Sequence, residues 1–174
     1  MSAKKETWEW VKALLIAFIL AALVRYVLFA PIIVDGKSMM PTLHNHDRLI
    51  INKLAYNVGD PERFDIIVFH ATETKDFIKR VIGLPGEHIA YRNDTLYVDG
   101  KAIPEPYLQP YKKQVTGDLT QHFETTVPEA YLFVMGDNRR RSKDSRIIGP
   151  VPLEDVVGEV VLQFWPIGDF HIVE

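Results

Sequence analysis

The chain has 174 residues, with 20 Lys plus Arg against 23 Asp plus Glu and a formal net charge of −3. Residues 31–174 hold 16 basic and 21 acidic residues, the opposite of the balance a nucleic-acid binder needs. Cysteine is absent, which excludes disulfides, thiolate catalysis and Cys-ligated metals.

The first predicted element is a membrane span. The run "ALLIAFILAALV" from Ala13 to Val24 is apolar without a break, and "YVLFAPIIV" resumes after Arg25. Extended back to Trp8, the segment 8–30 is close to the ~20 residues that cross ~30 Å of hydrocarbon. Trp8 and Trp10 at one end and Tyr26 and Phe29 at the other are placed as interfacial aromatics. A cleaved secretory leader would need a small-x-small exit, which the chain lacks, and an amphipathic surface helix would not be apolar on all sides. Lys4, Lys5 and Lys12 precede the apolar run, so residues 1–7 read as a cytoplasmic tail and 31–174 as an exported domain.

After Pro31 the pattern becomes extended. "DRLIINKL", "DIIVFH", "DFIKRVIGL", "HIAYRNDTLYVDGKAI", "QHFETTV", "AYLFVMG" and "VVGEVVLQFWP" are short, rich in Val, Ile, Phe and Tyr, and mostly bounded by Gly, Pro, Asn or Asp. "RNDT" and "VDGKAI" read as hairpin turns. The expected fold is a mainly antiparallel all-β domain with bent sheets. Residues 104–121, "PEPYLQPYKKQVTGDLTQ", read as a surface excursion.

Four serines are present, and Ser2 lies in the tail, leaving Ser38 in "DGKSMMPT" and Ser142 and Ser145 in "GDNRRRSKDSR". Gly36 lets a backbone approach Ser38 closely, and Pro41 stops a strand, so Ser38 falls at a strand end. The same string also fits a serine in a tight turn. A serine nucleophile needs a base. None of the six histidines lies in a triad motif, and "HNHD" (His44 to Asp47) lacks a spaced third ligand for a metal. A lysine serves as base only when burial keeps it neutral. In "FIKRVIGLPG", Lys79 alternates with Phe77 and Val81, and Arg80 with Ile78 and Ile82. Both faces are apolar, so parity leaves open which cation is inside, but only the lysine can lose its proton. The block "GDNRRRSKDSR" interleaves Asp137 and Asp144 with its cations and holds no aromatic, which fits a loop bracing a site better than a phosphate patch.

A span followed in order by "GKSMMPTL", "KRVIGLPG" and "GDNRRRSKDSR" resembles the type I signal peptidases, membrane-bound serine proteases with a Ser-Lys dyad, and most closely their Gram-positive branch. The resemblance implies Ser38 as nucleophile and Lys79 as general base. It implies Asp144 with Arg146 as an ion pair near the site, Ser142 as the hydroxyl that orients the lysine, and Gly136, Asp137 and Asn138 as the turn that shapes the pocket. The strands leading to Ser38 and carrying Lys79 would form the cleft for an extended substrate, with Val34, Asp35, Met39 and Ile78 along it. Met39 and Met40 would dip into the membrane interface. The implied partners are preprotein signal peptides with small residues before the cleavage site, and membrane lipid. No metal or cofactor is implied, and the location would be the outer face of the cytoplasmic membrane. Gly36 departs from the Gram-negative pattern, in which a serine at this position helps bind the oxyanion. Two rival readings are a Ser-Lys self-cleaving regulator and a noncatalytic membrane-tethered binding domain of the same fold.

Overall fold

The computed structural model describes residues 3–23 and 28–173. It opens with a helix, α1, spanning Ala3–Leu23. The expected segment 8–30 is corrected at both ends. The helix starts five residues earlier, and Phe29 and Ala30 already belong to the first strand, β1 (Phe29–Ile33). The physical reason is the pairing of Phe29 with Asn52 and Ala30 with Ile51, which claims their backbone groups for a sheet. Residues 24–27, including Arg25 and Tyr26, lie outside the described residues. Among the described residues no helix is long and apolar enough to cross a membrane. Five charged residues, Lys4, Lys5, Glu6, Glu9 and Lys12, fall within the first ten positions of α1. Its apolar part is exposed: Leu14, Phe18 and Leu20 are 67%, 73% and 56% exposed.

Among the described residues eleven further strands follow, and every pairing is antiparallel. The larger sheet has the order β1, β2 (Arg48–Asn52), β11 (Val156–Trp165), β3 (Ile66–Thr72), β4 (Lys75–Gly83), β9 (Tyr131–Met135) and β10 (Val151–Pro152). The short β12 (His171–Ile172) joins it through β11. The smaller sheet has the order β7 (Lys101–Ile103), β6 (Thr95–Val98), β5 (His88–Arg92) and β8 (Phe123–Thr126). The two predicted hairpin turns are present. Asn93 and Asp94 take φ of 49° and 58°, and Asp99 and Gly100 take 48° and 79°. Two successive residues at positive φ form the turn whose twist matches a two-residue hairpin.

β3 and β4 lie in the middle of the large sheet; β3 opens with the buried apolar run Ile66–Phe69, and β4 buries Lys79 and Arg80 between apolar neighbours. One core cluster packs Val34, Met39, Leu43, Leu49, Ile51 and Val68 beneath the Ser38 loop. A second joins Ile82, Phe133 and Met135 of the large sheet to Ile89, Tyr91 and Leu96 of the small one. The segment 104–121 is no simple surface excursion. Glu105, Leu108, Leu119 and Thr120 are all buried, drawn inward by an arginine described below.

Candidate active site

β1 delivers the chain to Val34, whose N–H donates to the Asp47 carbonyl and whose carbonyl accepts from the His46 N–H, both at 2.9 Å. Gly36 then turns the backbone at φ +107°, a conformation that favours glycine, and its N–H donates to Asn45 Oδ1 at 2.8 Å. Ser38 begins the tight turn that follows. The residues of "HNHD" thus serve as a brace for this loop: Asn45 holds Gly36, and the Asp47 carboxylate accepts the His44 N–H at 2.7 Å. His44 and His46 are exposed, and no group of three potential metal ligands occurs among the described residues. Met39 contradicts its expected place at the interface. It is 2% exposed and packs with Leu43 and Leu49, because the turn needs an apolar anchor beneath it. Met40 is half-buried.

β4 brings Lys79 up to Ser38. Lys79 Nζ donates to Ser38 Oγ at 2.9 Å and to the Ile78 carbonyl at 2.8 Å, and the residue is only 3% exposed. Its ammonium lies 4.9 Å from the Phe77 ring centroid. Burial pushes the Lys79 pKa down to about 8, against the upward pull of the Asp144 and Asp137 carboxylates.

The structure resolves the parity left open in the sequence: both cations are inside. Arg80 is 1% exposed and makes a two-pronged ion pair with Asp137, through Nε and one terminal nitrogen at 3.0 Å each. Its other terminal nitrogen donates to the Phe64 carbonyl at 2.8 Å, and the guanidinium lies 4.1 Å from the Tyr107 ring centroid. Thr42, four residues after Ser38, donates its hydroxyl to the same Asp137 carboxylate.

The loop after β9 clamps the Ser38 turn from above. The Asn138 N–H donates to the Ser38 carbonyl and Asn138 Nδ2 to the Lys37 carbonyl, both at 2.9 Å. Gly136 permits this approach, since a Cβ there would lie 2.4 Å from the Ser38 carbonyl oxygen and 2.3 Å from Ser142 Oγ. Asp144 pairs with Arg146 at 2.8 and 2.7 Å and accepts the Gly136 N–H at 3.0 Å. Burial alone would raise the Asp144 pKa, but Arg146, the Gly136 N–H and Ser142 outweigh it and hold the carboxyl below its ordinary value. Ser142 is placed differently from expectation. It makes no hydrogen bond to Lys79; its buried hydroxyl sits against Gly136 and favours the ionised form of Asp144. The lysine is oriented instead by the Ile78 carbonyl.

Ser38 and Lys79 line one groove of about 610 Å³, together with Val34, Asp35, Gly36, Met39 and Ile78. Strand register explains why it is open. β1 pairs only with β2, and β4 pairs with β9 only from Arg80 onward, so β1 and the first half of β4 each leave one edge free. A larger cavity of about 790 Å³ opens against β8 and contains neither Ser38 nor Lys79.

Nothing in the local sequence signals a second buried ion pair. Arg139, fully enclosed, donates to Glu105 and to the hydroxyls of Tyr91 (2.7 Å), Thr120 (3.1 Å) and Tyr107 (3.0 Å). Tyr91 and Tyr107 in turn donate to Glu105 at 2.7 Å each, and burial pushes both phenols well above their ordinary range, so they remain donors. This network fastens residues 104–121 to the loop that grips Ser38. "NRRRSK" offered only a run of cations, with nothing to say that the first of them is internal.

A serine hydroxyl beside a desolvated lysine amine thus lies in a groove bordered by two free strand edges. Residues 7–165 match the family model described as signal peptidase, peptidase S26, and the chain belongs to that family. It is 48% identical to a signal peptidase I of Bacillus caldolyticus over 171 residues, covering 94% of this chain and 92% of that one. It is 38% identical to a signal peptidase IB of Staphylococcus aureus over 179 residues, covering 96% and 94%. The crystal structure of a signal peptidase I from Enterococcus faecalis superposes with a TM-score of 0.56 at 43% identity, covering 58% of this chain and 97% of that one.

Proposed function

We propose that this chain is a serine endopeptidase of the signal peptidase I type, which removes N-terminal signal peptides from exported preproteins with Ser38 and Lys79 as its catalytic pair. The observation that carries the reading is the 2.9 Å contact between Ser38 Oγ and a lysine that is 3% exposed, with its pKa pushed down to about 8. At neutral pH about a tenth of such an amine is unprotonated, against fewer than one in a thousand for a solvated lysine near 10.4.

In the unprotonated form Nζ accepts the Ser38 proton as Oγ attacks the scissile carbonyl. The Lys79 ammonium formed in that step then protonates the departing amine, the new N-terminus of the mature chain, and leaves an ester on Ser38. Neutral again, Lys79 takes a proton from water as it attacks the ester, and passes that proton to Ser38 Oγ as the acyl bond breaks, which releases the signal peptide and restores the hydroxyl. The Ser38 N–H has no acceptor among the described residues and is available to the oxyanion, whereas the Gly36 N–H already donates to Asn45. The substrate lies as an added strand between the free edges of β1 and β4, so that Val34, Asp35 and Ile78 face the residues before the scissile bond. Small side chains there suit a shallow groove.

The exposed apolar part of α1 holds the catalytic domain at the outer face of the cytoplasmic membrane, where the scissile bond of a preprotein emerges. Cleavage of a preprotein by Ser38→Ala and Lys79→Ala tests the chemistry. Both variants should fold with native melting behaviour and be inactive. Full activity in either sinks the dyad, and release of the wild-type chain from membranes by alkaline carbonate would sink the anchor.

A further inference from the structure

The groove is lined by charges of both signs. Asp35 follows β1 and Asp76 lies on β4, paired with His70 Nδ1 at 2.7 Å, whereas Lys37, Arg141 and Lys143 lie off those strands. All three cations are exposed, and none joins an ion pair or donates a side-chain hydrogen bond among the described residues. By contrast Arg80, Arg139 and Arg146 of the same region are each held by a carboxylate. The position of the free cations is set by the nucleophile. Lys37 precedes Ser38, and Arg141 and Lys143 ride on the loop that Asn138 fastens to the Lys37 and Ser38 carbonyls.

Resting on the proposed activity, we infer that Lys37, Arg141 and Lys143 form a basic rim that selects acidic side chains in the first residues after the scissile bond. A chain whose preceding residues lie along Val34 and Ile78 must leave the groove past Ser38, and there it meets these three cations. The lead-in of the groove, carrying Asp35 and Asp76, disfavours an acidic residue before the cut. The two ends together fix the direction in which a charged substrate is threaded. Exposed charges of this kind act mainly on encounter and register.

The test uses the full chain in nonionic detergent and three peptides that differ only at the second and third residues after the scissile bond, bearing Ala, Glu or Lys. At low ionic strength kcat/KM for the Glu peptide should exceed that for the Lys peptide by roughly 5- to 30-fold, and added salt should shrink the ratio. Arg141→Gln with Lys143→Gln should bring the ratio close to one, and Arg141→Glu with Lys143→Glu should invert it. Equal cleavage of both charged peptides by the wild type overturns the inference, as does a ratio that survives the charge reversal. A ratio that appears only on vesicles containing phosphatidylglycerol also overturns it, because the cations then serve lipid headgroups. Failure to cleave even the Ala peptide defeats the proposed activity itself and is distinguished by that third substrate.

Discussion

Replacing Gly136 with alanine drives a methyl group against the Ser38 carbonyl. The new Cβ would lie 2.4 Å from the Ser38 carbonyl oxygen and 2.3 Å from Ser142 Oγ, while contacts under 3.0 Å essentially do not occur. The Ser38 turn must therefore retreat by roughly 0.6 Å or more, stretching the Asn138-to-Ser38 hydrogen bond and carrying Oγ away from Lys79. Overpacking of this size costs about 1–3 kcal/mol, or about 2–4 °C of melting temperature per kcal/mol in a chain of this length. A displacement approaching 1 Å at a reacting atom lowers kcat by about 100-fold. Gly158→Ala is the control. Its Cβ would meet the Asn52 carbonyl oxygen at 2.4 Å, an equal clash in β11 that does not involve the Ser38 turn. Thermal melts and steady-state cleavage of a signal-peptide substrate should show both variants destabilised and only Gly136→Ala crippled in kcat. If Gly136→Ala keeps kcat within about threefold of wild type while destabilised, or if both variants lose kcat alike, the clamp is not what positions Ser38.

Asp144→Asn removes an anion that pulls the Lys79 pKa up, so the acidic limb of the pH–activity profile should move below about 8. The wild-type Asp144 carboxyl is held below its ordinary value, so its stabilisation is present above the unfolded carboxyl pKa of ~3.9 and lost as pH falls through the folded value. Acid unfolding of the Asn variant should therefore be shallower below about pH 4, as read by circular dichroism. Glu105→Gln leaves the Arg139 guanidinium enclosed without its counter-charge and should cost about 3–5 kcal/mol in urea unfolding. Glu124→Gln, which breaks an ion pair whose side chains are 56% and 55% exposed, should change stability by no more than about 0.5 kcal/mol.

The β architecture was legible because the domain's signals are local. Short β-branched runs, Asn-Asp and Asp-Gly turns and the apolar run that opens β3 each declare themselves within ten residues. The three site blocks were legible for the same reason. What the sequence hid is non-local. Nothing near Arg80 or Arg139 announces that Asp137 and Glu105 wait across the fold, and an arginine run reads as solvated until its partners are placed. Met39 looked like interface surface because an apolar residue beside a catalytic turn has two uses, and only packing shows that this one anchors the loop. The limits of the N-terminal helix were obscured because Phe29 and Ala30 continue an apolar run while their backbone pairs with β2. The resemblance implies that Ser142 orients Lys79, whereas the Lys79 amine donates at 2.8 Å to the Ile78 carbonyl, adjacent in the chain.

The decisive measurement is the pH dependence of kcat/KM for a signal-peptide substrate in nonionic detergent between pH 6 and 10. A buried amine with its pKa at about 8 makes the rate climb with unit slope, gain close to tenfold between about pH 7 and 9, and then level off. A rate that is flat across that range, or that still climbs to a break near 10.4, the value of a solvated lysine, would mean that Lys79 is not the base that activates Ser38.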